Sequence, residues 1–137
     1  MGPRLVSWFS KKQNSIALST AEAEYVAAAS CCTQLLWMME TLQAIQIKCT
    51  PPVPIKCGNT SAISISKNPV MHSKTKHIPI KYHFLREQVL EQTVKLEHVP
   101  SKEQVADIFT KPLPKEAFEY LRQKLGVFSA SQKNKSA

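Results

Sequence analysis

Glycine is scarce in this sequence, with three in 137 residues. No glycine-rich loop of the kind that cradles phosphates can be built from them, which sets aside the nucleotide-binding classes that need one. The four cysteines, Cys31, Cys32, Cys49 and Cys57, include no CxxC pair. Cys31 and Cys32 are adjacent, and on a helix their side chains would point about 100° apart, which suits packing rather than joint ligation of a metal. His72, His77, His83 and His98 stand at no standard zinc-ligand spacing from one another or from Cys57. No uncharged apolar run approaches the roughly 18 residues of a membrane-spanning helix. The opening MGPRLVSWFSKKQ has neither the apolar stretch nor the small-residue cleavage pattern of a signal peptide. An intracellular protein, cytoplasmic or nuclear, with reduced thiols and no membrane partner is therefore expected. Acid is also in short supply: 10 Asp and Glu face 18 Lys and Arg, for a net charge of +8 and a pI near 9.5. That imbalance favours polyanions, nucleic acid above all, as partners.

What is present is enough for one packed core, with 43% hydrophobic residues. RLVSWF (4–9) has the look of a short strand, KKQN of a turn, and IALS (16–19) is apolar and extended. The clearest signal follows. Ser19-Thr20-Ala21-Glu22 has the pattern of a helix capping box, with Ser19 as the cap and Glu22 reaching back. From there to about residue 45 the chain is rich in helix formers. Tyr25, Ala28, Cys32, Leu35, Met39 and Leu42 recur at spacings of three and four, the stripe of a core-facing helix. Three prolines, Pro51, Pro52 and Pro54, close that region. Val53, Ile55 and Cys57 then alternate with Pro54 and Lys56 as in a half-buried strand.

In IKCGNTSAI (55–63) this strand runs into a helix start that Asn59, Thr60 or Ser61 could cap. The carboxyl end of such a strand is where α/β sheets place their chemistry, and at that point this chain has Gly58. A short helix over 60–67, a Lys- and His-rich loop broken by Pro69 and Pro79, and a helix over 82–92 are expected next. Val94, Leu96 and Val99, with Lys95 and Glu97 on the opposite face, mark another strand. A helix over 102–110 and a last one over 115–125, ended by Gly126, complete a mixed α/β layout. Residues 128–137 read as a disordered basic tail.

Three phrases in this order, LVSWFSKKQNSIALSTAEAEYVAAAS, IKCGNTSAISISKNPVMHSKTKHIPIKYHFLRE and KEQVADIFTKPLP, resemble the ribonuclease H domain that closes the Pol polyprotein of copia-type retrotransposons. The resemblance covers about residues 4–127. It implies a partial ribonuclease H-like domain over 1–127: an α/β fold with an incomplete mixed sheet lacking the first two strands, and helices packed on it. It further implies a nuclease of the two-metal kind, in which acids hold two Mg²⁺ ions for hydrolysis of the RNA strand of an RNA–DNA hybrid. Carried over by position, Glu24 corresponds to the helix acid and Asp107, in QVADIF, to the last acid. Both are thus candidate catalytic and metal-binding residues. The third acid should stand where this sequence has Gly58, in CGN. The first belongs to a segment upstream of LVSW that has no counterpart in this sequence. Pro79, in KHIPI, replaces a residue that is usually Asp in the family and removes a backbone donor.

With two of four acids missing, a catalytically defective domain is expected, with no measurable hydrolysis and with Mg²⁺ as a family cofactor only. Losing two strands leaves the IKC and VKLEHV strands as a parallel pair with an open edge. Such an edge could take an upstream polyprotein segment, the LVSWF strand or a second copy of the chain. Lys11, Lys12, Lys74, Lys76 and Lys81 are the candidate nucleic-acid contacts, within a wider basic set that includes Lys67, Arg86, Lys111 and Lys115. Two other readings follow from these residues. One is a binding module that holds hybrid or RNA without cutting it; the other is an inert or interaction remnant.

Overall fold

The computed structural model describes residues 4–68 and 78–130. The chain groups into two compact units, one formed by Gln13–Val99 and the other by the residues up to Lys12 together with those from Pro100 onward. Each is described by itself.

The larger unit begins with a 25-residue helix, α1 (Thr20–Ala44). Its start follows the capping-box pattern. Ser19 is extended, and its hydroxyl accepts a hydrogen bond from the Glu22 backbone N–H at 3.2 Å. The Glu22 carboxylate reaches back one residue further than the motif strictly requires and accepts from the Leu18 N–H at 2.6 Å. A five-residue strand, β1 (Val53–Cys57), follows, and then α2 (Thr60–Lys67), capped by Asn59, whose side-chain oxygen accepts from the Ala62 N–H at 3.1 Å. Beyond the segment 69–77, a 3₁₀ turn (Ile80–Tyr82) leads into α3 (Phe84–Leu90) and then β2 (Val94–His98). The helix expected over 82–92 is therefore shorter and enters through a tighter turn.

Strands β1 and β2 pair in parallel, with Val53 opposite Val94, Ile55 opposite Leu96 and Cys57 opposite His98. Ile55, Cys57, Val94 and Leu96 are buried on one face, while Lys56 and Lys95 are exposed on the other. The apolar face joins Tyr25, Val26, Ala28, Ala29 and Cys32 of α1, Ala62 and Ile65 of α2, Leu85 and Val89 of α3, and Ile78 in a single core. A 25-residue helix is roughly 37 Å long, more than twice the roughly 16 Å of a five-residue strand. The core stripe on α1 accordingly fades: Leu35 packs at the edge of the core, Met39 and Leu42 are only half-buried, and Trp37 and Ile45 are exposed.

Among the described residues the sheet consists of these two parallel strands, so it is not mixed. RLVSWF forms no strand. Its Leu5 N–H donates instead to the Leu125 carbonyl at 2.9 Å, within the smaller unit. Residues 16–19 also lie outside any strand. In the smaller unit the helix expected over 102–110 is replaced by two 3₁₀ turns, Ser101–Glu103 and Val105–Phe109, separated by Gln104 in an extended conformation. The last helix, α4 (Lys115–Lys124), forms as expected and is followed by Gly126 at φ 69°. Of the expected tail, residues 131–137 lie outside the described residues. No helix among the described residues is long and apolar enough to cross a membrane.

Candidate functional site

The carboxyl end of β1 is built by three neighbours. Cys57 ends the strand and is buried against the first turns of α1. Its thiol donates to the Asn59 carbonyl at 3.5 Å and to the Glu24 carboxylate at 3.9 Å. Glu24, half-buried on α1, is thereby placed beside the strand end. Burial above all pushes the Cys57 thiol upward, and the nearby Glu24 carboxylate adds to the rise against an opposing interaction with the Asn59 backbone, so the sulfur stays protonated at neutral pH.

Gly58 comes next. A β-carbon built there would meet no atom within 4 Å apart from its chain neighbours, and its backbone needs no left-handed conformation. The glycine is therefore not demanded by crowding or by backbone geometry. The position has open space for a β-carbon, and in this chain it carries no carboxylate.

Asp107 lies in the smaller unit, in the second 3₁₀ turn. Its carboxylate is largely covered and pairs with Lys111 at 3.1 Å, while its backbone carbonyl accepts from the Thr110 and Lys111 N–H groups. The structure thus brings Glu24 to Cys57 and Gly58 in one unit and fixes Asp107 in the other. Among the described residues no three His, Cys, Asp or Glu side chains gather as a metal-holding group. Mg²⁺ requires several hard oxygen donors. At the end of β1 Glu24 is set beside a neutral thiol and a glycine, so the donors present there do not fit that ion.

The basic residues divide in a way the sequence does not reveal. Lys11 and Lys12 are exposed. Lys81 is exposed and lies over the Tyr82 ring, 5.1 Å from its centre. Lys74 and Lys76 lie outside the described residues. Arg86, by contrast, is buried. Its guanidinium donates to the Ile65 carbonyl at 2.9 Å and the Asn68 carbonyl at 3.0 Å, closing the carboxyl end of α2. It is a structural cap rather than a phosphate contact. Lys111 is occupied by Asp107. The Tyr25–His83 pair is missed by sequence reasoning: the Tyr25 hydroxyl and His83 Nδ1 share a hydrogen bond at 2.9 Å across 58 residues. No local pattern announces such a contact.

No family model matches the chain, and no solved structure matches it. Curated proteins do. It is 40% identical over 127 residues to the retrovirus-related Pol polyprotein from transposon RE1 of Arabidopsis thaliana, and 39% identical over 127 residues to that from transposon RE2 of the same plant. It is 38% identical over 124 residues to the retrovirus-related Pol polyprotein from transposon TNT 1-94 of Nicotiana tabacum. The matched region is 90–93% of this chain and 9% of each relative. Over nearly its whole length, the chain is homologous to a segment of retrovirus-related Pol polyproteins from transposons.

Proposed function

We propose that the chain is a ribonuclease H-like segment of a copia-type retrotransposon polyprotein in which metal-dependent hydrolysis has been lost. The reading rests on the order of the three sequence phrases, on the transposon relatives, and on one geometric observation. A helix acid, Glu24, is held at the carboxyl end of a parallel strand, beside a residue position that is sterically open but is glycine. Two dications in such a site need several carboxylates, both to hold them and to offset their charge. The sequence has a single aspartate, Asp107, and none at the strand end.

The test is a cleavage assay on an RNA–DNA hybrid with Mg²⁺ or Mn²⁺. No turnover is expected from this chain. Turnover that Glu24→Gln abolishes would overturn the proposal. Gly58→Asp supplies a carboxylate where there is room for one, so it is expected to fold as the parent does and to increase Mg²⁺ binding measured by calorimetry. A Gly58→Asp variant that folds but gains no Mg²⁺ affinity counts against placing the missing ligand at residue 58.

A second reading, a non-catalytic nucleic-acid-binding segment, is favoured by the net charge of +8 and by the exposure of Lys11, Lys12 and Lys81. It requires salt-dependent binding to hybrid that weakens when Lys74, Lys76 and Lys81 are neutralised.

A further inference from the structure

The smaller unit carries an aromatic arrangement that the hydrolase reading does not use. Trp8 lies flat on Phe109, with ring centres 4.7 Å apart and ring planes 9° from parallel. Phe109 is half-buried in the second 3₁₀ turn, whereas Trp8 is 59% exposed and its neighbour Phe9 57% exposed. An indole covered on one face and open elsewhere, and held in a fixed plane by a second ring, is a surface on which a nucleobase can stack.

Charge complements that surface. Lys11 and Lys12 follow Trp8 by three and four residues, both exposed and without an acidic partner among the described residues. The described part of this unit holds eight Lys or Arg against four Asp or Glu, net +4. Two of those four acids are already engaged, Asp107 by Lys111 and Glu103 by Lys124 and Tyr120.

We propose that Trp8, backed by Phe109, is a stacking platform for an unpaired base, and that Lys11 and Lys12 hold the adjoining phosphates of a single-stranded nucleic acid. The proposal rests on the nucleic-acid-binding reading and gives it a site and a substrate class. It is independent of the acids at the end of β1. Duplex hides the faces of its internal bases and engages only the lysines. A single strand, RNA or DNA, engages both elements.

The experiment is a fluorescence titration in EDTA, where metal chemistry plays no part. Trp37→Phe leaves Trp8 as the only indole. Oligo(dT) and oligo(rU) are expected to quench its fluorescence, and an abasic strand of equal length to bind at least ten-fold more weakly. Trp8→Ala should lower affinity for oligo(dT) about ten-fold or more, with Trp8→Phe retaining most of it. Neutralising Lys11 and Lys12 together should weaken the salt dependence of single-strand binding by about 1.4 units of log–log slope. Differing affinities of oligo(dT) and oligo(rU) identify which strand is preferred. Absence of quenching, or equal binding of abasic and base-bearing strands, overturns the platform. So does Trp8→Ala binding like the parent. None of these outcomes touches the cleavage result, so the two readings fail separately.

Discussion

At the residue scale, Tyr25 shows what burial does to a polar group. It is fully buried, and its hydroxyl is satisfied by His83. Burial pushes its pKa from 10.0 up to about 12, against the pull of the Arg86 charge. The folded state therefore keeps a proton that the unfolded chain releases between those values. The contribution to stability is complete below about pH 10 and declines as pH rises toward about 12. Tyr25→Phe should lose about 1 kcal/mol at neutral pH and flatten the alkaline decline, as read from denaturant midpoints across pH. Arg86 is a second case. Removing the guanidinium in Arg86→Leu strips donors from the Ile65 and Asn68 carbonyls, and a loss of about 2–4 kcal/mol is expected in urea unfolding. The sequence shows the charge of Arg86 but not its burial. Only packing turns a basic residue into a helix cap.

At the scale of elements, three helices end in the same way. After α1, α3 and α4 the chain passes through a left-handed residue: Gln46 at φ 63°, Gln92 at φ 59° and Gly126 at φ 69°. Each is followed by the paired backbone bonds of a Schellman closure, such as the Ile47 N–H to the Leu42 carbonyl and the Thr93 N–H to the Gln88 carbonyl. Glycine adopts this conformation freely, whereas glutamine is strained there. Gln92→Gly should therefore stabilise the fold by about 0.5–1 kcal/mol, and Gln46→Gly similarly, by thermal melting. Gly126 makes its stop legible in the sequence, while the two glutamines hide theirs. The strand pair adds an acid-sensitive contact. Glu97 bridges Lys56 across the pair and Lys95 on its own strand, and the hydrogen bonds from these lysines, Lys56 first, lower its pKa from 4.5 to about 2. The folded state thus sheds a proton more readily than the unfolded one. The benefit is present above about pH 4.5 and disappears as pH falls toward about 2, and Glu97→Gln should remove that part of the acid sensitivity.

At the scale of the molecule, the core of the larger unit joins α1, α2, α3 and the strand pair, and Leu85 is fully buried within it. Leu85→Ala should lower stability by about 2–5 kcal/mol, seen as an earlier loss of helical circular dichroism. The sequence by itself determined α1, both strands, α2 and α4, because capping groups, apolar period and proline stops act over a few neighbouring residues. The family resemblance pairs Glu24 with Gly58, and the structure sets Glu24 beside Cys57, the residue that precedes Gly58. Tertiary structure decided the rest. RLVSWF has the composition of a strand, but a strand exists only where a partner accepts its backbone bonds, and Leu5 is bonded to Leu125 instead. Residues 102–110 have a helical composition, but they settle into two short turns around an extended Gln104. The openness at Gly58, the burial of Arg86 and the stacking of Trp8 on Phe109 depend on residues far apart in the chain. Local sequence fixes what each segment can become, and long-range contacts select which of those forms is kept.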